Sequence, residues 1–184
     1  SIIDLQGPNS MKNLSSFYDI KLEKFHLYQD EEVMIARTGY TGELGVEIIS
    51  DANKGLEIWN YFISKGIQPI GLAARDTLRL EAGFNLYGSD MTVENNPYDS
   101  NLEWTVDQSE QDRDYIGKKA LKHLQQTKNR LVGFYTDARG VLRSGTKVSF
   151  EGGEGVITSG TWSPTFKKNI GCLLYTSDAA DDVR

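Results

Sequence analysis

The chain has 184 residues, 39% of them hydrophobic and 25% charged; these are the proportions of a soluble globular body and exclude a wholly disordered chain. A chain of this length forms one domain or two small ones and buries about two thirds of its unfolded surface, and no stretch approaches the ~18 consecutive apolar residues of a membrane-spanning helix. The net charge is −6, from 20 basic and 26 acidic residues, and the basic residues are dispersed, clustering only in pairs such as Lys118–Lys119 and Lys167–Lys168, which argues against a nucleic-acid partner because phosphate neutralisation needs a basic patch.

In chain order, Ile2-Ile3-Asp4-Leu5 reads as a strand already under way. Phe25–Tyr28 and Glu32–Thr38 predict a strand pair, with Val33, Ile35 and Arg37 on one face of the second strand. Gly39-Tyr40-Thr41-Gly42 breaks that run, and Gly45–Ile49 resumes it, giving a hairpin with a Gly-rich bend. A helix follows, capped by Asp51 and closed by Gly66, with Leu56, Trp59 and Ile63 at i, i+3 and i+7. Ile67–Ile70 reads as a short apolar strand kept to an edge by Pro69. Leu72–Ala82 reads as a second helix between Gly71 and Gly83, with Leu72, Asp76 and Leu80 on one side and Arg75, Arg79 and Ala82 on another.

Residues 91–101 are turn-rich and predict a loop. Leu102–Val106 reads as a strand containing Trp104, and Asp114 as the cap of a third helix carrying Ile116, Ala120, Leu121 and Leu124. After a polar linker at Gln125–Asn129 the character changes. Leu131–Tyr135, Thr146–Phe150, Gly155–Ser159 and Asn169–Leu174 are short β runs separated by Gly and Pro turns, the signature of a small antiparallel barrel or sandwich, with Leu131, Val148, Ile157 and Ile170 as its core. The single cysteine, Cys172, has no internal disulfide partner, which fits a reducing compartment, and its apolar surroundings predict a packed thiol. The acidic tail Thr176–Arg184 reads as disordered or foreign.

For chemistry, neither His26 nor His123 stands near a Ser or Cys nucleophile motif, and no H-x-x-x-H or C-x-x-C spacing suggests zinc. Gly152-Gly153-Glu154-Gly155 lacks the Lys and Ser/Thr of a phosphate loop and reads as a hairpin turn. Two segments are denser. In Ala36–Glu47, three glycines within seven residues let backbone approach a ligand, Tyr40 offers a flat stacking face, and Glu43 and Glu47 lie four apart. A carboxylate there can accept two parallel N–H bonds from a planar donor edge; the plain alternative is a tight hairpin with two exposed glutamates. In Gly71–Gly88, an apolar helix carries two arginines and two acids. This is either a structural ion-pair network or an arginine aimed at an anionic or carbonyl-rich ligand.

Together these segments resemble the aminomethyltransferase family, the T-protein of the glycine cleavage system. The resemblance runs through Leu5-Gln6-Gly7-Pro8, Arg37-Thr38-Gly39-Tyr40-Thr41-Gly42-Glu43, Gly71–Gly88, Asp114-Tyr115-Ile116-Gly117-Lys118-Lys119-Ala120-Leu121, Arg130-Leu131-Val132-Gly133 and Ile157–Thr165, about residues 4–172 in all. It implies an α+β fold: a folate-binding region over 1–125, a small C-terminal β-barrel, here incomplete, over 126–175, and a tail at 176–184 that matches nothing in the family. It implies an enzyme that takes the aminomethyl group from the lipoyl arm of a lipoylated H-protein, releases ammonia and passes the one-carbon unit to tetrahydrofolate. The implied folate contacts are Glu47 on the 2-amino edge of the pterin, Tyr40 against the cofactor and Arg75 in the same cavity. The family's catalytic aspartate falls upstream of this chain, so no catalytic residue is assigned within it, and the chain alone is expected to be inactive. The implied compartment is the bacterial cytoplasm or the mitochondrial matrix. Sarcosine and dimethylglycine dehydrogenases carry a similar folate-binding module and are the runner-up. A non-enzymatic relative in iron–sulfur assembly is marked by a Lys-Gly-Cys-Tyr-x-Gly-Gln-Glu motif, where this chain has no cysteine.

Overall fold

The computed structural model describes residues 1–107, 109, 113–124, 129–138, 140–150 and 153–176. It is α+β, with two compact units, Ser1–Ala82 and Gly83 onward.

In the first unit, β1 (Ile2–Gln6), β2 (Leu27–Gln29), β3 (Val33–Ala36) and β4 (Gly45–Ser50) form an antiparallel sheet in the order β1-β4-β3-β2. Side chains alternate across a strand, and here the alternation divides apolar from polar. Leu5, Val33, Ile35, Val46 and Ile48 are buried on one face, while Asp4, Gln6, Met34 and Glu47 take the other. The apolar face is closed by Leu14 of α1 (Ser10–Ser15) and by Ile58 and Phe62 of α2 (Ala52–Ser64). Each such side chain contributes about 1.5–3 kcal/mol on burial.

The Asp51 carboxylate accepts the Lys54 N–H at 2.8 Å and caps α2 as expected. The buried stripe of α2 differs from the expected one. Gly55, Ile58 and Phe62 face the core, whereas Leu56, Trp59 and Ile63 are exposed. Both sets have the i, i+3, i+7 spacing, and Gly55 decides between them. A Cβ there would stand 2.6 Å from the Ser1 side chain and 3.2 Å from Ser50 Oγ, so only a bare backbone can approach the sheet that closely. α3 (Leu72–Glu81) starts after Gly71 as expected. It brings Arg75 to Asp4 and sets Ala82 against Gly42 in the bend between β3 and β4.

Two strand expectations in this unit change. The Phe25–Tyr28 run is a strand only from Leu27, because Phe25 sits at φ 66°, outside the β region. Ile67–Ile70 forms no strand; it is the connection from α2 to α3.

In the second unit, residues 83–101 are turns tied together by side chains. Asp90 is buried and accepts from Leu86 N at 2.8 Å and from Thr158 Oγ1 at 2.5 Å. Asp99 accepts from the Asn96 backbone and side chain, and its own carbonyl receives Leu131 N at 2.8 Å. Leu102–Val106 is not a strand: Glu103–Thr105 is a single 3-10 turn, closed by the backbone N–H and hydroxyl of Thr105 on Leu102 O, and Trp104 is exposed. Asp114 does not cap a helix, since α4 spans Lys118–Leu124. Gly117, at φ 91°, breaks the backbone ahead of it and leaves Ile116 outside the helix, fully exposed.

The four β runs are all strands: β5 (Asn129–Thr136), β6 (Lys147–Phe150), β7 (Gly153–Ser163) and β8 (Lys168–Thr176). They pair antiparallel in the order β5-β8-β7-β6, with a bulge at Ile157/Ser159. Among the described residues β5 and β6 do not pair with each other, so the sheet is open. Leu131, Ile157, Ile170 and Cys172 are buried as expected, and Val148 is half-buried. Most of the Gln125–Asn129 linker, the start of the Gly152–Gly155 turn and the tail beyond Thr176 lie outside the described residues.

The α2 stripe can be measured directly. Ile58→Ala lowers unfolding stability by about 2–5 kcal/mol, the cost of a core cavity, whereas Leu56→Ala changes it by less than about 0.5 kcal/mol. Denaturant titration of both variants checks this, and a larger loss for Leu56→Ala would contradict the observed packing.

Candidate functional site

The polar face of the first sheet becomes a site because of register. Asp4 in β1 lies directly opposite Glu47 in β4, and Gln6 lies opposite Gly45. A cavity of about 660 Å³ opens beside these residues. Its polar wall comes from Asp4, Gln6, Thr41, Glu47 and Arg75. Its apolar wall comes from Trp59 and Ile63 of α2 and from Ile67 and Ile70 of the connection to α3. Two members of the exposed stripe of α2, Trp59 and Ile63, thus line the cavity.

The bend from Arg37 to Leu44 holds the remaining parts. Gly42 is at φ +77°, and a Cβ there would stand 2.8 Å from the Ala82 side chain, so glycine is required both for conformation and for contact with the end of α3. Tyr40 sits under Arg75, whose guanidinium carbon is 4.6 Å from the ring centroid, a cation–π contact. The Arg75 Nε is 3.6 Å from Asp4 Oδ2. Thr38 Oγ1 donates a short hydrogen bond to Glu47 Oε2. Glu47 and Arg75 thereby line one cavity, and Tyr40 is joined to it through Arg75.

The two acids of the Gly-rich segment part company. Glu47 lines the cavity, whereas Glu43 is exposed and its backbone N–H is held by Thr41 Oγ1 at 3.3 Å. The two arginines of α3 divide in the same way. Arg79 is fully buried, with Nε 2.8 Å from Asp76 Oδ1; Arg75 is the one at the cavity. The helix therefore contains both an ion pair with a buried arginine and, one turn earlier, a cation at the cavity.

Two site residues carry no role in the sequence reading, Asp4 and Gln6. Their spacing of two places them on one face of β1, but only the pairing with β4 sets them beside Glu47. The Asp4 carboxyl is held above its ordinary value of 3.8. Burial is the largest cause, the facing charge of Glu47 adds to it, and Arg75 offsets part of it. Among the described residues, no group of three or more His, Cys, Asp or Glu side chains is placed to hold a metal ion, and no helix is long and apolar enough to cross a membrane.

Residues 1–110 match the GCVT N-terminal domain, and residues 129–182 match the glycine cleavage T-protein C-terminal barrel domain. The class is thus a GCVT-type domain followed by a barrel-type domain. Within that class, the chain belongs to the glycine cleavage T-protein family. It is 49% identical over 152 residues to the aminomethyltransferase of Francisella tularensis subsp. tularensis (strain WY96-3418), covering 81% of this chain and 42% of that protein. It is 40% identical over 198 aligned positions to the aminomethyltransferase of Xanthomonas campestris pv. campestris (strain 8004), covering 100% of this chain and 53% of that protein. The glycine cleavage system aminomethyltransferase T from Bartonella henselae superposes with a TM-score of 0.85 at 31% identity, over 96% of this chain and 51% of that one. The chain spans about half the length of the relatives it matches.

The Asp4 carboxyl sets a pH dependence. With its folded pKa raised, the folded protein holds this proton more tightly than the unfolded chain, so stability falls as pH rises through the window above 3.8. Asp4→Asn removes that cost. The variant is more stable than the parent at pH 7, and the difference shrinks as the pH falls through that window and is lost below 3.8, where Asp4 is neutral in both states. Denaturation midpoints across pH check this; a variant less stable at pH 7 would mean that the Arg75 pairing outweighs burial and the Glu47 charge.

Proposed function

We propose that this chain supplies the folate-gripping wall of an aminomethyltransferase of the glycine cleavage system. The enzyme transfers the one-carbon unit from the aminomethyl-lipoyl arm of H-protein to tetrahydrofolate and releases ammonia. The observation that carries the reading is the Glu47 carboxylate on the cavity wall, steadied by Thr38, with Arg75 stacked on Tyr40 beside it. The names and the TM-score of the relatives support it.

The roles follow from charge and shape. Glu47 is an acceptor with two oxygens, suited to the adjacent N–H donors on the planar 2-amino edge of a pterin. Its bond from Thr38 fixes the carboxylate without neutralising it. Tyr40 and Arg75 form a stacked pair, so the guanidinium is held as a flat, oriented cation able to face the carbonyl-rich part of the folate. The apolar wall of Trp59, Ile63, Ile67 and Ile70 excludes water from one side, which strengthens the polar contacts on the other. The family aspartate that stands near N5 of the folate falls upstream of this chain, and the lipoylated H-protein is the partner that delivers the aminomethyl group. The compartment follows the source, the cytoplasm in a bacterium and the mitochondrial matrix in a eukaryote.

Two variants test the reading in the protein at its full natural length. Glu47→Ala weakens tetrahydrofolate binding by about 1.5–3 kcal/mol, the range for a lost hydrogen bond to a charged group, as read by calorimetry; unchanged affinity would sink the assignment. Arg75→Lys lowers turnover while the melting midpoint stays near the parent value, because lysine keeps the charge and loses the planar fork. If the midpoint falls and turnover per folded molecule holds, Arg75 serves only the fold.

A further inference from the structure

We propose that Gln6 is a positioning residue for the cavity: its amide pins the bend between β3 and β4 and so sets where Tyr40, Thr41 and Glu47 stand. The proposal rests on the folate reading for its ligand and on geometry for its mechanism. The Gln6 Nε2 donates to Thr38 O and to Val46 O, both at 3.3 Å. These carbonyls stand at the two ends of the bend, eight residues apart in sequence and joined through one amide. The Gln6 Oε1 accepts from Thr41 Oγ1 at 3.2 Å, midway along the bend, and Thr41 is buried.

The bend is shaped around this side chain. A Cβ at Gly39 would lie 2.3 Å from Gln6 Oε1, and one at Gly45 would lie 2.5 Å from Gln6 Cδ and from Leu5 O. Neither glycine has a positive φ that would explain it, so the close approach of the amide accounts for Gly39 and, together with the Leu5 carbonyl, for Gly45. Both N–H donors of the amide are used on backbone carbonyls, and the reversed orientation would set its oxygen against those two carbonyls. Gln6 therefore lines the cavity with its donors already committed, and it acts through the bend. The link to the site is Thr38: its carbonyl receives the Gln6 amide, and its hydroxyl holds Glu47.

The test uses the protein at its full natural length, with tetrahydrofolate under anaerobic conditions as the probe. Three quantities are read for the parent, Gln6→Ala, Gly39→Ala and the Gln6→Ala/Gly39→Ala double variant: the dissociation constant, the melting midpoint and the amide exchange of residues 38–46. Gln6→Ala weakens binding at least tenfold at a temperature where it is fully folded. It speeds exchange in 38–46 at least tenfold and leaves α2 unchanged. Gly39→Ala lowers the midpoint far less when Gln6 is already alanine, since the clash is gone, yet the double variant does not regain affinity. That pattern separates positioning from bulk stability, because packing is relieved while binding stays lost. Parent-like affinity and exchange in Gln6→Ala overturn the proposal, as does parent-like affinity in the double variant. Gln6→Met, which fills the space without donors, is read in the same way should the alanine variant fail to fold. A parent that does not bind tetrahydrofolate overturns the folate reading instead, and the exchange of 38–46 then decides the role of Gln6 by itself.

Discussion

The pairing of β1 with β4 is the constraint on which the first unit depends. It sets Leu5 opposite Val46 in the core and, by the same alternation, Asp4 opposite Glu47 on the other face. A slip of one residue would exchange the faces, carrying Asp4 and Gln6 into the hydrophobic core and Leu5 onto the polar face. The hydrophobic residues therefore hold the acidic pair and the amide in place. Stability and site geometry share one register.

That register has an electrostatic cost. Two carboxylates directly opposite on one sheet face repel, and neither is fully hydrated. Arg75 lowers the cost from above and is in turn held by the Tyr40 ring. A cavity wall with two acids and one cation has acceptor capacity to spare, so it suits a ligand that brings N–H donors.

Much of this was legible in the sequence where the information is local. Val33, Ile35, Val46 and Ile48 alternate visibly, Asp51 announces its helix, and the three glycines around Tyr40 mark the bend that carries Glu47. The four β runs of the second unit stand out between turns. The misreadings arise where a distant partner decides. The buried stripe of α2 is chosen by Gly55 against Ser1, and nothing in the spacing of Leu56, Trp59 and Ile63 distinguishes it from that of Gly55, Ile58 and Phe62. Asp4 and Gln6 have no visible role until a strand some forty residues later is laid beside them. Leu102–Val106 has the composition of a strand, but Thr105 turns back on Leu102. In α3, two arginines four residues apart look equivalent in the chain, and only the fold buries Arg79 and leaves Arg75 at the cavity.

The turns of residues 83–101 carry a consequence for modularity. The matched N-terminal domain runs to residue 110, yet this stretch bonds to the sheet that follows it: Asp90 reaches Thr158 in β7, and the Asp99 carbonyl receives the first buried amide of β5. Homology and compactness thus divide the chain at different places. A barrel exchanged between relatives at the homology boundary would arrive without the carboxylate that meets its Thr158 hydroxyl and without the carbonyl that meets Leu131 N. Judged by its internal contacts, the part that can be grafted is therefore longer than the barrel alone, and it begins near Gly83.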